Sequence, residues 1–226
     1  MRWGHPADLP ADEIDIAVVI DVLRATTTAT VLLSREIAEL RVAATPANLG
    51  SLSRDAVIVF SELGSVSESF RTVDNSPHVA KTVPFEGRLP VLVTTNGTRA
   101  IKAAWSRARR VFLASFLNLD AVADLLLRLR GNVTLLPCGS FSRRAACEED
   151  DLCAAALDAA LRGARGNVRD FADKCWNAPG VRKRLASNPG LSEDCKLAFS
   201  TNLIRVVPEV VAESAEGLLT VRPCLD

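Results

Sequence analysis

The chain alternates between short, continuously apolar runs and longer segments in which apolar residues recur every three or four positions. The runs near residues 16–20, 40–44, 56–60, 91–93, 111–114 and 133–136 are too short for amphipathic helices and predict strands buried on both faces. The segments near 27–38, 98–107, 120–129 and 149–161 predict helices, with a shorter helix near 47–53. A long polar segment follows the third strand to about residue 82. No strand pattern occurs from about 167 to 200. That stretch predicts two or three short helices, broken at Pro179 with Gly180 and at Pro189 with Gly190. Residues 204–207 and 218–222 predict terminal strands, with a hairpin around Glu216 and Gly217. The alternation predicts an α/β fold: a mostly parallel sheet with helices on both faces, then a helical segment and terminal strands near the C-terminus. The 226 residues read as a single α/β unit, or as two subdomains with a boundary near 130–170.

Polar chemistry gathers where the apolar runs end. Ala17, Val18, Val19 and Ile20 run into Asp21, Val22, Leu23, Arg24, Ala25, Thr26, Thr27 and Thr28, after which a helical pattern begins. Open α/β sheets place ligands at the carboxyl ends of their strands, next to the free N–H groups of a following helix. Asp21 would sit there as a metal ligand or nucleophile, with Arg24 and the threonines toward an anion. The plain alternative is that Asp21 caps the helix. Val91, Leu92 and Val93 repeat the layout, running into Thr94, Thr95, Asn96, Gly97, Thr98 and Arg99. An Asn with a Gly often marks a hairpin, but here a helical pattern follows, so a ligand-binding strand end is expected. A third cluster, Glu148, Glu149, Asp150 and Asp151, opens an apolar helical run. At about 100° per residue no more than two of these acids can face one site. Anion-seeking and cation-seeking groups together suggest a phosphate bound with a divalent metal.

Charge and cysteine content narrow the function classes. Lys and Arg number 27 and Asp and Glu number 27, so the net charge is zero, and the basic residues are scattered. An extended nucleic-acid face is not expected. The basic residues between Lys174 and Arg184 read as a solvated helical face. Pro6, Asp8, Pro10, Asp12 and Glu13 precede any long apolar run, unlike a secretory signal, and no apolar stretch would span a bilayer. The expectation is a soluble, cytoplasmic protein with no membrane partner; a homo-oligomer remains open. None of the six cysteines forms a Cys-x-x-Cys pair, and His5 and His78 show no ligand spacing, so a structural zinc site is not expected. Cys153 reads as a small core residue.

The two strand-end motifs, together with Glu149, Asp150, Asp151, Leu152, Cys153 and Ala154, resemble the 2-phosphosulfolactate phosphatases. Asn75, Ser76 and Pro77 match more weakly, as do Val206, Val207 and Pro208. The resemblance implies a magnesium-dependent acid phosphatase acting on a small sulfonated phosphate monoester, a step that serves coenzyme M synthesis in some microbes. On this basis Asp21, Arg24 and Asn96 are expected to be catalytic. Thr26, Thr27, Gly97, Thr98, Glu62 and Asn75 are expected to bind a small phosphorylated acid, and Asp21, Glu149 and Asp150 to hold Mg2+. The segment 61–71 departs from the family's glycine-rich, Glu-Arg-containing loop, leaving Glu62 and Arg71 as stand-ins, and Ala155 replaces a usual glycine. The expected substrate preference therefore moves away from, or relaxes beyond, the sulfonate. The alternative function is a diverged phosphometabolite-binding protein on the same fold.

Overall fold

The structure is a computed structural model that describes residues 2–9, 14–64, 66–67 and 69–224. Pro10, Asp12 and Glu13 of the polar N-terminal stretch, and Ser65 and Glu68 of the 61–71 loop, lie outside the described residues. The strands are β1 (Arg2–Trp3), β2 (Ile14–Ile20), β3 (Leu40–Ala43), β4 (Val57–Ser61), β5 (Thr72–Asp74), β6 (Leu89–Val93), β7 (Ala108–Ala114), β8 (Val133–Pro137), β9 (Pro208–Glu213) and β10 (Leu218–Pro223). The helices are α1 (Ala25–Leu33), α2 (Pro77–Thr82), α3 (Gly97–Trp105), α4 (Leu119–Arg128), α5 (Glu148–Leu161), α6 (Val168–Cys175), α7 (Pro179–Ser187) and α8 (Leu191–Ala198).

All ten strands form one sheet in the order β1-β8-β2-β7-β9-β10-β3-β6-β4-β5. Neighbours within β1-β8-β2-β7 are parallel, as are those within β3-β6-β4-β5. The β9-β10 hairpin sits between these half-sheets and pairs antiparallel with β7 on one side and β3 on the other. Three antiparallel steps give the half-sheets opposite senses.

The apolar runs are continuous because both faces of the sheet are covered. Along β2, Val18 and Ile20 enter a core with residues of α4, α5 and the α6 to α8 segment, while Ala17 and Val19 enter a second core with α1 and α3. Every residue of α1 is buried, as a helix packed on all sides requires. Over β3, β4 and β6 a third, smaller core packs under Leu49, Leu52 and loop residues Val66 and Phe70 instead of a helix.

Several element boundaries differ from the sequence expectation. The ninth strand is Pro208–Glu213; residues 204–207 precede it, with Ile204 N–H donating to the Leu117 carbonyl at 2.9 Å. Residues 47–53 hold a 3-10 turn, Pro46–Leu49, closed by reciprocal Thr45 and Asn48 bonds. The polar segment before residue 82 contains β5 and α2, both too short to show a period. Pro179 starts α7 at its first turn, where a missing N–H costs nothing. No helix of the described residues is long and apolar enough to cross a membrane.

Candidate active site

The carboxyl ends of β2, β6 and β8 converge, although β6 belongs to the other half-sheet. Asp21, just past β2, is 6 % exposed. Its Oδ1 accepts from the Ala25 N–H at 3.3 Å, so it caps α1 as well as facing the site. Gly97, at the start of α3, lies directly against it. A Cβ at position 97 would run into both Ala25 Cβ and Asp21 Oδ2, so only glycine permits this approach. From β8, Gly139 takes a positive φ of 52° and its N–H donates to Asp150 Oδ2 at 2.9 Å.

The first turn of α5 separates its four acids. Glu149 and Asp150 are buried and point inward. Glu148 accepts from the Gly180 N–H at 3.0 Å and ties α7 down, and Asp151 is part-exposed. Asp150 Oδ1 also accepts from the Val22 N–H at 2.8 Å, which joins α5 to the residue after Asp21. Glu149 Oε1 pairs with Arg184 Nη2 at 2.5 Å, while its Oε2 is buried with no partner among the described residues. Cys147 Sγ, a Glu149 oxygen and an Asp150 oxygen lie within 4.8 Å of one another.

Electrostatics mark the same point. Burial, followed by the negative charge of Glu62, raises the Asp21 carboxyl to about 7. Burial, then the charges of Asp21 and Glu149, pushes Asp150 well above the usual carboxylate range. Crowded, buried carboxylates with an orphaned oxygen are unfavourable without a counter-charge. A divalent cation would supply one, and of the clustered groups Glu149 and Asp150 offer the carboxylate oxygens that suit a hard ion, while Asp21 lies outside that cluster. Cys147 is a poor ligand for such an ion, because burial, then Asp150, pushes its thiol up to about 12.

The remaining expected residues occupy varied places. Thr26 Oγ donates to the Asp21 carbonyl at 2.8 Å, Thr27 Oγ to the Val22 carbonyl at 2.7 Å, and Thr98 Oγ to the Thr94 carbonyl at 2.9 Å. All three threonines are fully buried, and these bonds make them clamps on the strand-to-helix turns instead of open anion donors. The Phe141 N–H donates to Asn96 Oδ1 at 3.0 Å, which ties the turn after β6 to the loop after β8. Glu62 Oε1 accepts from the Thr95 N–H at 2.7 Å and from its hydroxyl. Asn75 is fully buried, and neither amide atom has a partner among the described residues.

Arg24 is bound more tightly than expected. Its Nη1 meets Asp74 at 2.6 Å and Asp194 at 2.8 Å, and its Nη2 meets Asp74 at 3.0 Å. Asp194, on α8, also accepts from the Ser76 hydroxyl and from the His78 N–H at 3.3 Å. Breaking a buried pair of this kind costs roughly 3–5 kcal/mol. The Leu23–Arg24 peptide bond is cis. Arg184 corrects the expectation of a solvated face from 174 to 184: it reaches the acids from α7. Sequence reasoning missed Arg184, Asp194, Asp74 and Cys147. Only Cys147, one residue ahead of the acids, and Asp74, beside Asn75, carried a positional hint.

An α/β sheet whose strand ends bring these acids together, with arginines nearby, offers the acidic and cationic groups that hydrolysis of a phosphoric monoester uses, the reaction class in the family's name. A family model described as 2-phosphosulpholactate phosphatase matches residues 5–213, and the chain belongs to that family. Relatives named probable 2-phosphosulfolactate phosphatase include one from Thermus thermophilus, 33% identical over 68% of this chain and 64% of its own length. Another, from Deinococcus radiodurans, is 32% identical over 87% of this chain and 88% of its own. A third, from Thermotoga petrophila, is 30% identical over 88% and 90%.

Proposed function

We propose that the protein hydrolyses a small phosphorylated acid of the 2-phosphosulfolactate kind, with Mg2+, in the cytoplasm. The observation that carries this is the convergence of Asp21, Glu149 and Asp150 at the strand ends, two of them with raised carboxyl pKa values. Glu149 and Asp150 would hold Mg2+, which when bound neutralises charge on phosphoryl oxygens. Asp150 fixes the turn after β2 through Val22 and the turn after β8 through Gly139. Gly97 leaves Asp21 Oδ2 room beside the α3 N-terminus. Six free thiols suit a reducing compartment.

Asp21 either takes the phosphoryl group itself or orients the water that does. Acid quench with labelled substrate separates the two: label on the chain means the first, none during rapid turnover the second. The test of the function is phosphate release from a panel of small phosphorylated hydroxy acids and one aryl phosphate, with and without Mg2+. Release that requires Mg2+ is expected. No turnover of any member, with phosphate still bound, would favour the diverged binding protein.

A further inference from the structure

A phosphoryl group at this site needs a cation. We infer that Arg184 on α7 supplies it by binding the phosphoryl oxygens, while Arg24 serves as a cross-link; this rests on the function proposed above. Arg24 spends both terminal nitrogens on Asp74 and Asp194. These ties hold the turn after β2 to β5 and α8, and an anion could recruit Arg24 only by undoing them. Arg184 makes one charged contact, to Glu149, and a long bond of 3.4 Å to the Gly180 carbonyl. Its Nη1 has no bond among the described residues, and its side chain is 37 % exposed against 14 % for Arg24. Its partner is itself one of the proposed metal ligands, so the guanidinium borders the place where the phosphoryl group would meet the ion.

The other nearby cations fit less well. Arg144 pairs with Asp8 at 3.0 Å on the surface. Arg99 is exposed on α3. A guanidinium with free donors matches the oxygens of a phosphoryl group in a way an ammonium does not.

The test uses the full chain with Mg2+ present. Inorganic phosphate binding is followed by calorimetry, and kcat/KM is measured on a small phosphate monoester. Arg184→Ala is expected to weaken phosphate binding by at least about tenfold and to lower kcat/KM by at least about a hundredfold, with Arg184→Lys recovering part of the affinity. Arg99→Ala is expected to keep both values. If Arg184 merely balances Glu149, its loss lowers the Mg2+ concentration required and leaves phosphate affinity within about threefold; that result overturns the inference. Loss of affinity in Arg99→Ala instead would also overturn it. A poorly folded Arg184→Ala leaves Arg184→Lys to decide: unchanged phosphate affinity and kcat/KM there would refute a role for the guanidinium fork. Wild-type protein that neither binds phosphate nor releases it from any monoester sinks the proposed function itself, and Arg184 binding with it. Active wild type with an equally active Arg184→Ala sinks this inference alone.

Discussion

At the scale of single residues, Asp21 joins a structural duty to a chemical one. Asp21→Asn keeps an oxygen to accept from Ala25 and removes the charge, so the turn should survive. Turnover is expected to fall by at least about a hundredfold, near 2.7 kcal/mol. A folded variant that kept a tenth of the wild-type rate would remove Asp21 from the centre. The same substitution makes a pH prediction without metal. The Asp21 carboxyl is raised to about 7 in the fold, mainly by burial, so the stability it contributes is complete below the unfolded value near 3.8 and is lost as pH rises through 7. The melting temperature of Asp21→Asn relative to wild type should therefore climb from pH 5 to pH 8, and a flat difference would contradict the burial argument. Asp21 and Gly97 could be singled out because each follows the end of an apolar run, whereas Glu149 and Asp150 were picked from four adjacent acids only through the family resemblance. Arg184 and Asp194 were not legible, because their place depends on how α7 and α8 dock. Arg24 and Asp194 are 170 positions apart, and no local pattern encodes such a contact.

At the scale of elements, two helix starts decide the geometry. Gly97→Ala would drive a methyl into Ala25 and Asp21, so α3 must retreat from α1. The expected cost is about 1–3 kcal/mol of stability together with a large loss of activity, read by thermal melting and phosphate release. Full activity in a stable Gly97→Ala protein would show that the approach is dispensable. The first turn of α5 makes a different prediction. Glu149→Gln and Asp150→Asn each remove charge from the acidic cluster, so both should raise the Mg2+ concentration that supports half-maximal rate. Titrations that overlay wild type would take α5 out of the metal site. Most strands were legible as apolar runs, because two covered faces leave residues 16–20 of β2 and 57–60 of β4 without a polar side chain. The β5 and α2 pair was hidden by its brevity. The ninth strand was misplaced by four residues, because Ile204, Val206 and Val207 look as strand-like as Val210 and Val211 when their neighbours are unknown.

At the scale of the molecule, a cleft of about 460 Å³ lies at the β4 and β5 edge of the sheet, lined by Ser61, Glu62, Gly64, Phe70, Thr72, Val73 and Asp74. Its charged lining is acidic, and the nearest cations are engaged: Arg71 pairs with Glu86 at 2.6 Å and Arg24 is held as described. Such a wall reads a second strong anion poorly. The ratio of kcat/KM for 2-phosphosulfolactate over phospholactate should stay below about a hundredfold, or roughly 2.7 kcal/mol, and a larger ratio would show that other residues read the sulfonate. The sequence signalled this through the altered 61–71 loop. The opposed half-sheets, by contrast, could not be read from the apolar runs, because strand sense is set by pairing. The hairpin that joins them also has a consequence for the order of events in biosynthesis. β9 and β10 lie in the middle of the sheet but are the last strands to be translated. While a ribosome is still making residue 207, β7 and β3 each wait with one open edge, and no ladder bond yet connects the halves. The two walls of the site are therefore made early and brought into register by the final strands to emerge.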